Sequence, residues 1–285
     1  MSRVLLASTI TLLLLCPANI ARVQQGSPNF DELTLATQLP SELPQRISGF
    51  AYDGEKFWVV LSHSGGLYAT FDPATLNWNA NSSGDQRQAI RKVSGAFESP
   101  GGICFAGGKL WVGGSYGESF GAINPQTWEI EQLFQGLQRD DRASQSYAAM
   151  AFDGRHLWIA WHWLKYALPE ASTQLLLKVE PETGKVVGQF PVPAGTRNDI
   201  THGLTWDGTR LWHMKDQRLV SINPSNGAVT ARYALPQLKR PSGLAWDGEA
   251  LWIAEWGGKI WRLPFARTRL EQSTTTRPAP SASLH

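Results

Sequence analysis

Ten side chains carry the chemistry that this sequence offers. His63, Glu98, His162, His202, Lys215, Asp216 and Glu255 can exchange protons or hold charge, and Tyr147, Trp161 and Trp256 can stack on a ligand. Glu255 and His202 are the one acid–base pair the pattern suggests, and proton relay between them needs hydrogen-bond reach. Each residue also has a plainer reading. His63 and His162 read equally as ordinary loop histidines, and Lys215, Asp216 and Glu255 as solvated ion pairs of little energetic weight. His202 reads equally as a buried, hydrogen-bonded histidine, and the tryptophans as cover for a core edge, although clustered exposed aromatics are the better sign of binding. The sequence holds no His-Glu-x-x-His, no Cys-x-x-Cys, no phosphate-cradling glycine loop and no nucleophile elbow. No metal ligand set and no cofactor is therefore expected.

What brings these residues to one surface is an internal repeat. Five segments align: Gly49-Phe-Ala-Tyr-Asp-Gly54, Gly102-Ile-Cys-Phe-Ala-Gly107, Ala149-Met-Ala-Phe-Asp-Gly154, Gly203-Leu-Thr-Trp-Asp-Gly208 and Gly243-Leu-Ala-Trp-Asp-Gly248. An apolar-Trp pair follows each, at Trp58, Trp111, Trp158, Trp212 and Trp252, and this spacing suits propeller blades. The period-two alternation makes the segments strands. A leading Gly lets backbones crowd at the axis, a small residue thins one side, and a large aromatic fills space between sheets. Asp-Gly then turns the chain. Third strands end in Asp72-Pro73, Asn124-Pro125, Glu180-Pro181 and Asn223-Pro224, and turns such as Ser225-Asn-Gly227 lead to a fourth strand. The expected fold is all-β: a five-bladed β-propeller of four-stranded blades. The fifth unit lacks its own fourth strand. Leu33-Thr-Leu-Ala-Thr-Gln-Leu-Pro40 resembles Val229-Thr-Ala-Arg-Tyr-Ala-Leu-Pro236, so the N-terminal strand is expected to close the last blade.

In this architecture the turns between strands 1 and 2 and between strands 3 and 4 share one face. They are short, apart from a longer polar stretch read here as one of them, Trp78 to Gln88. The opposite face gathers the variable loops, including Trp161 to Gln174, Ala96 to Ser99, Gln138 to Tyr147 and Thr196 to His202. All ten candidates belong to that variable-loop face, which is where a ligand is expected.

The bulk numbers agree with one large domain. The chain has 285 residues, 42% hydrophobic and 18% charged, with a net charge of +2, 13 Trp and 27 Gly. So little net charge, with no basic cluster, argues against nucleic acid as a partner. Arg3 followed by the apolar run Val4 to Leu15 and small residues near Ala18 and Ala21 predicts a signal peptide over 1–21. The propeller is expected over 33–265 and a disordered tail over 266–285. The mature chain would then be periplasmic or secreted, without a membrane span, and monomeric. Cys104 would be its single thiol, in a column otherwise filled by Ala and Thr, and is read as filler.

The Gly-Leu-x-aromatic-Asp-Gly-x-x-Leu-Trp units and Pro-x-Thr-Gly turn resemble the plant and bacterial type of glutaminyl cyclase, five-bladed enzymes that close N-terminal Gln into pyroglutamate. The resemblance spans 33–265 and implies the fold. At the positions matching that family's catalytic motifs the chain reads Trp58-Val-Val-Leu-Ser62, Ile159-Ala-Trp-His162 and Ala254-Glu-Trp-Gly257, without the family's Glu, Asn and Lys. No catalytic residue is carried over. Leu251-Trp-Ile-Ala-Glu255 is also similar to the strand pattern of calcium-dependent lactonases of the gluconolactonase kind. Their oxygen-rich axis corresponds here to Ser48, Gly101, Ala148, His202 and Ser242, a poor cage for a hard cation. The expectation is thus a binding protein for a peptide, glycan or small molecule. A cyclotransferase-like enzyme is the alternative, and a metal-dependent lactonase-like hydrolase the second alternative.

Overall fold

In the computed structural model the described residues are 27–61, 67–80, 84–97, 99–114, 119–136, 144–164, 173–192 and 203–265. The leader expected at 1–21 and the tail expected at 266–285 lie outside them. The described chain forms five four-stranded antiparallel sheets. Blade 1 is β2 (Ile47–Tyr52), β3 (Phe57–Leu61), β4 (Leu67–Phe71) and β5 (Trp78–Ala80). Blade 2 is β6 (Pro100–Ala106), β7 (Lys109–Gly114), β8 (Ser119–Ile123) and β9 (Ile130–Gln135). Blade 3 is β10 (Ser144–Phe152), β11 (Leu157–Leu164), β12 (Thr173–Val179) and β13 (Val186–Pro191). Blade 4 is β14 (Gly203–Trp206), β15 (Leu211–Lys215), β16 (Arg218–Ile222) and β17 (Val229–Ala234). Blade 5 is β18 (Pro241–Trp246), β19 (Ala250–Glu255), β20 (Lys259–Pro264) and, as its outermost strand, β1 (Thr34–Gln38). The closing strand predicted from the N-terminal segment is therefore present, paired Thr34 to Arg262 and Gln38 to Lys259.

Besides a short 3-10 turn over Phe30–Glu32, one α-helix among the described residues breaks the all-β pattern. The stretch Trp78 to Gln88, expected as a long turn on the short-loop face, is divided between β5 and the start of an α-helix, α1 (Gly84–Ala96), in the crossover to blade 2. The turn between β4 and β5 is instead of ordinary length, with Leu76 N–H donating to the Asp72 carbonyl. β5 is three residues long and pairs only with Ala69, Thr70 and Phe71 of β4. Ile90 and Val93 of α1 and the adjoining Phe97 recur at helical spacing and join the core cluster of Trp58 and Tyr68 from blade 1 and Val112 from blade 2, and that apolar face is why the stretch is a helix.

The repeat columns have definite structural roles. A methyl on Gly49 would meet the Gly101 carbonyl at 2.2 Å, and one on Gly203 would meet Leu244 Cβ at 2.7 Å, so the leading glycines let inner strands approach. The aspartates do more than turn the chain. Asp53, Asp153, Asp207 and Asp247 each accept two backbone N–H bonds of their turn on Oδ1 and the indole N–H of Trp58, Trp158, Trp212 or Trp252 on Oδ2, at 2.6–2.8 Å for the indoles. Burial acts to raise the Asp53 carboxyl, but the N–H groups of Lys56, Trp58 and Glu55 and the Lys56 charge outweigh it and hold the pKa below its ordinary value. Asp153 is held low in the same way, its burial outweighed by Trp158 and the His156 and Arg155 amides. Blade 2 has Ala106 in this place and turns instead through two left-handed glycines, Gly107 at φ 59° and Gly108 at φ 74°.

Along the axis the channel is narrow. Near the variable-loop face, Ser48, Gly49, Gly102, Ala148, Gly203 and Ser242 enclose a cavity of about 10 Å³, room for one water. Towards the short-turn face it widens to about 100 Å³ between strands carrying Tyr52, Phe105, Phe152, Trp206 and Trp246, all half-buried. No helix among the described residues is long and apolar enough to cross a membrane.

Candidate functional site

The second strand of each blade runs toward the variable-loop face and carries its last residues there, because the loop to the third strand turns on that side. Its side chains alternate between the preceding and the following blade. In blades 1, 2, 3 and 5 the residue after the tryptophan is Val59, Val112, Ile159 and Ile253, all buried. Blade 4 departs from this column. Trp212 is followed by His213, and two places on, where blades 1 and 3 have the core residues Leu61 and Trp161, stands Lys215. Trp212 and Met214 pack toward blade 5. His213 and Lys215, on the other side of the strand, face blade 3.

Strand register extends the departure into two rows. Lys215 pairs with Arg218, which pairs with Ala234; His213 pairs with Val220, which pairs with Arg232. These rows line a cleft of about 310 Å³, with His213 and Lys215 buried at its inner end and Arg218 and Arg232 exposed at its rim. Blade 3 presents a polar row of its own to the same interface. Ser146 pairs with His162, which pairs with Gln174, on the side of β11 that carries Trp158 and Ala160 against blade 4. The two blades are joined there by the Lys215 ammonium, which donates to Gln174 Oε1 at 2.7 Å. Two of the sequence candidates, His162 and Lys215, thus belong to one polar seam between blades 3 and 4. Asp216 lies in the turn just beyond Lys215, at φ 53°.

The remaining candidates divide. Tyr147 and Trp161 are a cross-strand pair, wholly buried against Phe120 and Met150 in the interface with blade 2. The expected exposed aromatic cluster around Trp161 is corrected accordingly: the neighbouring blade offers Gly113, where an added Cβ would strike Tyr147 Cβ at 2.5 Å, and that vacancy draws the aromatics inward. Glu255 is buried, and both oxygens of its carboxylate accept hydrogen bonds. One oxygen accepts the backbone N–H groups of Lys239 and Arg240, and the other accepts the indole N–H of Trp261 at 2.9 Å. Glu255 therefore pins the crossover into blade 5, both of its oxygens accepting hydrogen bonds. Trp256, next to it, is half-buried with the Arg240 guanidinium 4.5 Å from its ring and that of Arg46 6.0 Å away. His63, Glu98 and His202 lie outside the described residues.

His213, Arg218 and Arg232 escaped the sequence reading. The signal was the break in the Val/Ile column at His213, visible once all five Trp registers are stacked. Elsewhere the chemistry is quiet. Cys104 is buried and its burial pushes the thiol pKa far up, which keeps it protonated. Among the described residues no three His, Cys, Asp or Glu side chains gather into a metal-holding group.

No family model matches this sequence, and no curated protein matches it. Solved structures do. Glutaminyl cyclase from Myxococcus xanthus is similar with a TM-score of 0.54 at 10% identity, over 82% of this chain and 97% of that one. A structural-genomics protein of unknown function from Bacteroides thetaiotaomicron is similar with a TM-score of 0.50 at 13% identity, over 81% of this chain and 75% of that one. Virginiamycin B lyase from Staphylococcus aureus covers 82% of this chain at 13% identity with a TM-score of 0.44, and all of that chain is matched (100%). The chain is a five-bladed propeller distantly resembling the Myxococcus enzyme in fold; at such identities the likeness reaches the architecture and stops there.

Proposed function

We propose that this chain is an exported binding propeller that captures a peptide, glycan or small molecule on its variable-loop face, seated in the cleft between blades 3 and 4. The observation that carries the reading is that cleft of about 310 Å³, at whose inner end blade 4 places His213 and Lys215 where blades 1 and 3 have Val59 and Leu61, and Ile159 and Trp161. A hollow that combines apolar walls with a few placed polar groups is the usual make-up of a ligand site, and this cleft has both, in Val220 and Ala234 beside His213, Lys215, Arg218 and Arg232. Binding is preferred over acid–base catalysis because Glu255, the acid of the pair considered from sequence, spends both oxygens on holding the crossover into blade 5.

Ala234 gives the direct test. It is exposed, lies in the Lys215–Arg218 row and borders the cleft, so Ala234→Trp fills the mouth without touching the core. A panel of glycans, peptides and small metabolites is screened by thermal shift against both proteins. Hits lost in Ala234→Trp support the reading, and hits retained in full remove the cleft as the seat.

A further inference from the structure

We infer that a second seat lies on the variable-loop face, where Arg46 and Arg240 hold neighbouring carboxylate or phosphate groups of one polyanionic ligand beside the indole of Trp256. This seat is separate from the cleft between blades 3 and 4 and goes beyond the reading of that cleft. The two arginines occupy one position of the repeat in adjacent blades. Arg46-Ile-Ser-Gly49 leads into β2 and Arg240-Pro-Ser-Gly243 into β18, so each arginine immediately precedes an inner strand. Ser48 and Ser242, two residues on, line the narrow end of the channel, which puts the pair beside its mouth. Trp256, just after β19, is fastened to both loops. Its backbone N–H donates to the Arg240 carbonyl at 2.8 Å, and its carbonyl accepts the Ile47 N–H at 3.4 Å. The loops have further ties of their own. The Glu255 carboxylate accepts the N–H groups of Lys239 and Arg240, and the Gln45 side chain donates to the carbonyls of Pro40 and Leu43 at 2.8 Å each.

On this platform the side chains are arranged for anions. The Arg240 guanidinium lies 4.5 Å from the centre of the Trp256 ring and that of Arg46 lies 6.0 Å from it. A guanidinium resting on an indole keeps its N–H groups at its own edge, where they match the paired oxygens of a carboxylate or phosphate. The contact also restrains the long side chain beforehand, so less freedom is lost on binding. Both arginines are exposed, and neither forms an ion pair with a described carboxylate. Local charge points the same way. The segments that build the platform, 39–47, 235–241 and 255–259, carry Arg46, Lys239, Arg240 and Lys259 against Glu42 and Glu255. Of these two acids Glu255 is buried and hydrogen-bonded, and only Glu42 is exposed. The cations are scattered along the chain and meet only in the fold. Because two forks stand by one ring, a ligand with two or more anionic groups can engage both, and a ligand with one group engages them less well.

The full chain is titrated calorimetrically with citrate, pyrophosphate and acetate, each at low and high NaCl. The expected result is that citrate or pyrophosphate binds, that acetate binds at least about tenfold more weakly, and that polyanion affinity falls as salt rises. The citrate and pyrophosphate arms separate carboxylate from phosphate as the group recognised. Arg46→Gln and Arg240→Gln change exposed side chains, so each should keep the wild-type circular dichroism spectrum while weakening polyanion binding about tenfold or more. Arg218→Gln and Ala234→Trp, both at the other cleft, should leave polyanion binding unchanged. Failure of both polyanions to bind at about 10 mM overturns the inference, as does an acetate affinity equal to theirs. Unchanged binding in Arg46→Gln or in Arg240→Gln overturns it too. So does loss of polyanion binding in Ala234→Trp, which would put the anion between blades 3 and 4. The reading of that cleft keeps its own test, since Arg46 and Arg240 lie outside it.

Discussion

Asp207→Ala offers the sharpest test of how the repeat holds itself together. Asp207 is fully buried, and its two oxygens take the N–H groups of Thr209 at 2.8 Å and Arg210 at 2.7 Å, the Trp212 indole N–H at 2.7 Å, and the Arg210 side chain at 3.1 Å. Truncation orphans the indole donor of a wholly buried tryptophan, costing about 1–3 kcal/mol, and returns two turn amides to weaker partners at roughly 0.5–1.5 kcal/mol each. The Arg210 guanidinium, a quarter exposed and lying 4.9 Å from the Trp212 ring, recovers hydration and adds little. The expected loss is about 3 kcal/mol, which for a domain of this size lowers Tm by about 6–12 °C. Asp207→Asn keeps an acceptor for the turn while setting its amide N–H₂ against the indole, so its loss should fall between wild type and Ala. Both are read by urea unfolding followed by circular dichroism. A loss below about 1 kcal/mol, or one no greater than that of Asp247→Ala, whose residue is half-buried and makes the same three contacts, would refute this account of the clamp. That Ala106 is tolerated in blade 2 does not conflict with it, because the two left-handed glycines there make a turn that needs no carboxylate.

Other consequences are open to the same measurements. Asp53 and Asp153 have carboxyls held below their ordinary values, so the unfolded chain binds more protons in that range; their contribution is full above about pH 4 and is lost as pH falls through the lower folded values. Stability measured from pH 7 to pH 3 should therefore drop below pH 4, and less steeply in Asp53→Asn. Gly203→Ala should cost about 1–3 kcal/mol by driving a methyl into Leu244, whereas Gly95→Ala in α1, with nothing within 4 Å of the added carbon, should stabilise by about 0.5–1 kcal/mol. Trp161→Ala should cost about 3–5 kcal/mol by opening the blade 2–3 interface, seen as a lowered urea midpoint.

How far the molecule was legible from sequence follows from what a repeat can report. Glycine, aspartate and tryptophan columns recur because each solves the same packing or turn problem in blade after blade, so strands, turns and the closing segment could be read directly. α1 was missed because the core it joins, Trp58 and Tyr68 of blade 1 with Val112 of blade 2, comes together only in the assembled ring. Its apolar positions Ile90, Val93 and Phe97 had helical spacing but sat in a polar stretch. The site was half legible. Lys215 and His162 were singled out for their chemistry, yet their shared interface depends on which side of each strand they face. Trp161 was misjudged for the same reason: position along the chain gave its height in the blade, and the neighbouring Gly113 decided that it turns inward.

The pairing of β1 with β20 sets a schedule for folding. Each of the first four blades can assemble from consecutive residues, through hairpins of small contact order. The last cannot, because its outer strand is made first and its partner last. The ring stays open until almost the whole propeller is free to fold, and its closure then joins distant stretches of chain at a large loss of chain entropy. Closure should accordingly be the slow step, and the chain with four finished blades the species most exposed to proteases and to pairing with a second copy. A circular permutant that cuts the chain before β18 would make every blade from consecutive residues, and should refold faster while keeping the same final shape.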